Sequence, residues 1–175
     1  MASHLNVEIK ARCRDPELLL GRLRELGATQ QGVDHQVDTY LPSATGRLKL
    51  RQGLIENYLI HYVRPDQPGP KGSLVTLHPV KPEESAQLRD LLAAALGVSV
   101  VVDKHRHILW IDNVKFHVDS VQGLGSFLEI EAIDTTGTVG RQRLLEQCHR
   151  YIALLSIETM DLEPRSYSDL LASLP

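Results

Sequence analysis

Four short segments of this chain place polar or charged residues at every second position: Asn6-Val7-Glu8-Ile9-Lys10-Ala11-Arg12, Arg47-Leu48-Lys49-Leu50-Arg51, Lys104-His105-Arg106 and Glu129-Ile130-Glu131. Side chains alternate across a strand, so each charged set points one way and its apolar neighbours the other. Some segments supply mostly Lys and Arg, and one supplies paired carboxylates. Lys and Arg pair with phosphate oxygens, Arg in a two-pronged geometry. Glu8, Asp119, Glu129 and Glu131 are hard oxygen donors of the kind that hold Mg²⁺ or Mn²⁺. Brought into one interior, the two sets suit a polyanion held with a divalent metal, which would orient a reacting oxygen for in-line attack at phosphorus. Alternation alone equally describes a sheet with one wet face. Two features favour an enclosed site: the opposite parity is strongly apolar, and the helices are amphipathic and need a sheet face to cover.

The elements that would position these residues are short and well punctuated. A first strand runs from about Leu5 to Cys13. Asp15-Pro16-Glu17 then opens a helix, with Asp as cap and Pro at the first position. Leu18, Leu19, Leu23 and Leu26 form its expected buried stripe, and Gly27 ends it. Alternating segments follow at Gln36–Leu41, Gly46–Gln52, Tyr58–Arg64 and Ser73–Val80, with a flexible hairpin loop over Arg64-Pro65-Asp66-Gln67-Pro68-Gly69-Pro70. Pro82-Glu83-Glu84 starts a second helix with Leu88, Leu91, Leu92 and Ala95 on its apolar face, stopped by Gly97. Val98–Trp110, Val114–Gln122 and Ser126–Ile133 read as three more strands, with Asp112-Asn113 as a turn. A third helix covers about Val139–Leu155, with Leu144, Leu145, Cys148, Ile152 and Leu155 inward. The tail, Leu162–Leu174, is polar with an apolar end. Many short strands with three helices imply an antiparallel α+β fold closed into a barrel.

Bulk properties narrow the function. At 175 residues the chain reads as a single domain, 1–175, with no repeat or linker to divide it. A net charge of −3 gives no general field for nucleic acid, so the locally clustered bases point to a small anionic ligand. No apolar run approaches the ~20 residues that span a bilayer. Met1-Ala2-Ser3-His4 lacks a signal-peptide pattern, so the expectation is a cytoplasmic protein with no membrane and no nucleic-acid partner; homodimerisation stays open. Cys13 and Cys148 offer neither a disulfide framework nor a zinc spacing and read as buried thiols. His61, His78, His105, His107, His117 and His149 lack a compact ligand spacing and read as surface or hydrogen-bonding residues. Gly123-Leu124-Gly125 precedes a strand and reads as a tight turn rather than a phosphate loop. Trp110 reads as core or rim.

The ordered series of these segments resembles the CYTH superfamily, the triphosphate tunnel metalloenzymes, and within it the branch grouped with class IV adenylyl cyclases. The family hallmark is an N-terminal strand of pattern E-x-E-x-K, matched here by Asn6-Val7-Glu8-Ile9-Lys10. The likeness continues through Gln36-Val37-Asp38-Thr39-Tyr40, Gly46 to Arg51, Leu59 to Arg64, Lys104-His105-Arg106, Val118-Asp119, Gly123 to Glu131 and Ser166 to Leu171. It implies an eight-stranded antiparallel closed tunnel braced by helices, holding a triphosphate substrate and Mg²⁺ or Mn²⁺. Members cyclise ATP or hydrolyse thiamine triphosphate, tripolyphosphate or nucleoside triphosphates. On matching positions, Glu8 and Lys10 are expected at the catalytic centre. Glu8, Asp119, Glu129 and Glu131 are expected to bind metal. Lys10, Arg12, Arg47, Lys49, Arg51, Arg64, Lys104 and Arg106 are expected to hold phosphates, and Tyr167 to belong to a segment closing one tunnel end. The first hallmark Glu is Asn6, whose amide carries no charge. That departure keeps a second class of function in view, a binding module for a nucleotide or polyphosphate without turnover.

Overall fold

The computed structural model describes residues 2–174. Eight strands close into an antiparallel barrel: β1 (Ala2–Arg12), β2 (Thr29–Leu41), β3 (Arg47–Gln52), β4 (Tyr58–Val63), β5 (Lys71–Pro79), β6 (Val100–Ile111), β7 (Val114–Val121) and β8 (Gly125–Asp134). The order round the barrel is β1-β5-β4-β3-β2-β6-β7-β8, and β8 pairs back onto β1. In such a ring each strand faces the fourth one along. Thus β3 stands across the lumen from β8, β5 from β6, β4 from β7, and β1 from β2. The expected α+β closed tunnel is what the chain forms.

Four helices flank the barrel: α1 (Pro16–Glu25), α2 (Pro82–Leu96), α3 (Arg141–Leu154) and α4 (Tyr167–Ala172). The Asp15 side chain accepts the Leu18 N–H at 3.0 Å, and Pro16 occupies the first turn of α1, as its cap sequence requires. The main core lies outside the barrel, where α1 and α3 cover β1, β7 and β8. Val7, Ile9, Phe116, Val118, Leu128 and Ile130 meet Leu20, Leu23, Leu144 and Cys148 there. A second apolar cluster closes one end of the lumen, with Tyr167 and Leu170 of α4 packed on Tyr40, Val102, Val121 and Phe127.

Several boundaries differ from the sequence reading. Leu18 is 55% exposed; Leu20 takes its place in the buried stripe of α1. The apolar face expected for α2 is not buried, with Leu91 65% exposed and Ser85 its buried residue. That helix is held by its first turn, where the Gln52 amide donates to the Ser85 hydroxyl at 3.2 Å. Strand β2 starts seven residues before the expected Gln36, at Thr29, because a bulge between Gln30 and Gly32 breaks the alternation that would have revealed it. Cys148 is buried, but Cys13 sits just past β1 and is only partly buried. The tail carries α4, whose Ser166 and Asp169 form a reciprocal capping box. Gly123 and Gly125 have φ of 79° and 87°, which fits the tight-turn reading. Among the described residues no helix is long and apolar enough to cross a membrane.

Candidate active site in the barrel lumen

The inner parity of the strands encloses a cavity of about 410 Å³, within the range of pockets that hold a drug-sized ligand. Its walls are not uniform. Lys49 and Arg51 project from β3, and Glu129 and Glu131 project from β8 on the facing wall. Glu8 and Lys10 of β1 sit in register beside Glu131 and Glu129, and Lys10 Nζ lies 3.3 Å from Glu129 Oε1. Arg64, just past β4, pairs with Glu8. Its Nε and Nη2 are buried with no partner among the described residues. Such orphaned donors are rare in folded proteins and indicate a site shaped for an acceptor.

Asp38 on β2 organises the cationic wall. Its carboxylate accepts from Lys49 at 2.8 Å, Lys104 at 2.7 Å and Arg51 Nε at 2.9 Å. Burial alone would raise this carboxyl, but Arg51, Lys104 and Lys49 hold it well below the usual range. One carboxylate does not balance three cations. Burial pushes Lys104 down to about 7, against the attraction of Asp38 and assisted by Arg51, Arg106 and Lys49. Glu56 is a second organiser: it accepts from Arg51 Nη1 at 2.7 Å and from Gln36 at 3.0 Å, and it pairs with Lys115. Asp34 holds the loop carrying Glu56, accepting the N–H groups of Leu54, Ile55 and Glu56 at 2.8 to 3.2 Å.

A metal-competent group lies on β7 and β8. His117, Glu129 and Glu131 each offer a ligand atom, all within 4.8 Å of one another. His117 Nδ1 is 3.5 Å from Glu129 and 3.6 Å from Glu131, and neither ring nitrogen has a hydrogen-bond partner among the described residues. Burial, then Arg106, lowers the His117 pKa, so the ring keeps a lone pair to give. Burial would raise Glu129, but Lys10 and Arg106 keep it ionised, well below its ordinary range. One imidazole and two carboxylates fit a divalent ion of the Mn²⁺ or Mg²⁺ kind.

The expected site residues divide three ways. Glu8, Lys10, Lys49, Arg51, Arg64, Arg106, Glu129 and Glu131 line the cavity. Lys104 and Asp119 are buried behind them. Asp119 is not free for metal: it accepts from Arg106 Nε and Nη2 at 2.7 and 2.5 Å and from the Tyr167 hydroxyl at 2.8 Å. Arg12 and Arg47 stand apart. Arg12, at the end of β1, is 50% exposed, packs over Phe127 and lies 3.7 Å from Glu163. Arg47 bridges Asp66 at 2.8 Å and Asp169 at 2.7 Å, tying the hairpin loop to α4. The sequence reading gave no role to Asp38, Glu56 or Lys115, and it set His117 aside. Lys115, His117 and Asp119 alternate on one strand face, but the sequence reading took only Asp119 from it into the site.

The arrangement is a small chamber, closed at one end and rich in charge of both signs, with a carboxylate–imidazole group on one wall. Over residues 4–167 the sequence matches the CYTH domain family. The chain belongs to the CYTH family. Solved structures agree on the fold. The PH1012 protein of Pyrococcus horikoshii OT3 superposes with a TM-score of 0.72 at 23% identity, covering 94% of this chain and 98% of that one. A Vibrio parahaemolyticus protein described as a candidate adenylate cyclase gives 0.71 at 19% identity, covering 97% and 98%. One chain of the Schizosaccharomyces pombe Mediator head module gives 0.59 at 10% identity, covering 92% and 98%. The same barrel thus occurs in different proteins, and the fold alone does not fix what this one does. None of the curated proteins compared matches the chain.

Proposed function

We propose that this CYTH protein is a divalent-metal-dependent enzyme that binds a triphosphate in its lumen and either cyclises or hydrolyses it. The observation that carries the reading is the opposition of Lys49 and Arg51 on β3 to Glu129 and Glu131 on β8. Cations on one wall and carboxylates on the other allow phosphate oxygens to be gripped from one side and a metal to be held from the other. In this reading Lys10, Lys49, Arg64 and Arg106 hold phosphate oxygens, with Arg51, whose nitrogens are taken by Asp38 and Glu56, and Lys104 adding charge from behind. Arg64, with two unpartnered nitrogens, is placed for two-pronged recognition. Asp119 acts through Arg106, fixing its fork, and Glu8 fixes Arg64. His117, Glu129 and Glu131 would hold the divalent ion, with Glu8 beside them, and the ion would supply charge neutralisation at the phosphate oxygens. Arg12 and Arg47 are left out of the grip. The chain acts as one domain and needs no nucleic-acid or membrane partner.

A second reading, a binding module without turnover, is favoured by Asn6. It stands at the first hallmark position and brings no charge to the β1 wall. Incubation with ATP, thiamine triphosphate and tripolyphosphate, each with Mg²⁺ and Mn²⁺, followed by chromatographic resolution of products, separates the two. The enzyme reading expects metal-dependent product that Glu131→Gln abolishes while the melting temperature stays close to wild type. Binding without product from any of the three supports the module.

A further inference from the structure

Beyond Lys71 and Arg64, which lie toward the α4 end, the inner wall formed by β4 and β5 is apolar. Ile60, Tyr62 and Val75, with Tyr58 and Leu77, make an apolar cluster that faces the cavity rather than a helix. Trp110 on β6 lines the same cavity from the side facing β5. Beside this cluster two polar atoms are orphaned. Asn6 and Ser73 are cross-strand partners, both buried, and Asn6 Oδ1 and Ser73 Oγ have no hydrogen-bond partner among the described residues. Both groups are neutral, which suits hydroxyls better than phosphate oxygens or a cation.

Free positive charge is also unevenly spread along the lumen. At the end lined by Tyr58, Leu77 and Trp110 the cations are already paired, Arg51 with Asp38 and Glu56, and Lys115 with Glu56. The spare donors of Arg64 lie toward the end closed by α4, as do Lys10 and Tyr167. Phosphates are therefore drawn inward, and an apolar, hydrogen-bonding wall is left for whatever they carry. A bare polyphosphate has nothing to set against apolar side chains, whereas a flat organic ring gains from covering them.

We propose that the ligand is a nucleoside triphosphate, with its ring between the β4–β5 wall and Trp110 and its sugar hydroxyls at Asn6 and Ser73, rather than inorganic tripolyphosphate. This rests on the triphosphate reading above. Tripolyphosphate carries one more negative charge than ATP, so a basic lumen alone would favour tripolyphosphate. A preference for ATP must then come from the organic wall.

Calorimetric titration in chelator tests this without turnover. ATP is expected to bind at least about tenfold tighter than tripolyphosphate or thiamine triphosphate. Ser73→Ala and Leu77→Asn, each checked for folding by its melt, are expected to weaken ATP about five- to tenfold and tripolyphosphate less than twofold. Tripolyphosphate or thiamine triphosphate binding as tightly as ATP overturns the proposal but leaves the triphosphate reading standing. So does equal weakening of ATP and tripolyphosphate in both variants. Binding of none of the three, both in chelator and with Mg²⁺ restored, or binding that Lys49→Ala leaves unchanged, overturns both.

Discussion

At the scale of single residues, the site depends on carboxylates that touch no proposed ligand. Among the described residues Asp38 is the one counter-charge shared by Lys49, Arg51 and Lys104. Removing one member of a buried ionic group leaves the others uncompensated, which costs about 3–5 kcal/mol. Asp38→Asn should lower stability by that order in chemical denaturation, although every cation remains. Lys104 gives a pH prediction. Its pKa of about 7 reflects burial among Asp38, Arg51, Arg106 and Lys49, and a bound polyanion must raise it. A raised pKa in the bound state means proton uptake on binding. Affinity contributed by this group is fully present below about 7 and falls as pH rises above it. Titrations at pH 8 in buffers of different ionisation heat should report uptake of a fraction of a proton, and Lys104→Met should abolish it. Much of the lumen was readable in the chain because alternation marks inward positions on a strand. Asp38 lay in a segment with the right alternation, but nothing local shows that it meets three cations from two other strands. Glu56 stands in a loop, where alternation says nothing, and His117 reaches its carboxylate neighbours only across the β7–β8 register.

At the scale of elements, the segment after α3 behaves as a strap across the closed end. The Glu163 N–H donates to the Lys10 carbonyl at 2.9 Å, while Lys10 and Lys71 donate to the carbonyls of Arg165 at 3.1 Å and Pro164 at 2.8 Å. Arg47 fastens the strap to the hairpin loop through Asp169 and Asp66. Arg47→Ala should therefore cost about 1 kcal/mol, as expected for a partly exposed charge pair. Its clearer effect should be faster amide exchange in both 64–70 and 166–172. A phosphate-gripping Arg47 would instead show lost affinity with exchange unchanged. Strands were easier to read than what covers them. The period of two fixes which way a strand faces, whereas the leucines of α2 only say that a face is apolar. Whether another surface meets that face depends on where the connections to β5 and β6 place the helix.

At the scale of the whole molecule, stability is lodged on one side. The core under α1 and α3 binds β1, β7 and β8, while the outer faces of β4 and β5 leave Val63 and Leu74 exposed as cross-strand neighbours. Leu144→Ala, in the packed core, should cost about 2–5 kcal/mol. Leu91→Ala, on the open face of α2, should stay within about 0.5 kcal/mol. Thermal melts of the two variants would show whether the helices contribute this unequally.

The packed cluster of Tyr167 and Leu170 on Val102, Val121 and Phe127 makes the barrel a blind alley. In a blind alley, first in is last out. A triphosphate entering with its phosphates ahead puts its terminal group farthest from the doorway. After hydrolysis there, that fragment waits behind the organic one. Release is then ordered by the architecture. The inner product should inhibit competitively with substrate and the outer product noncompetitively, and steady-state inhibition patterns would read the direction of traffic directly.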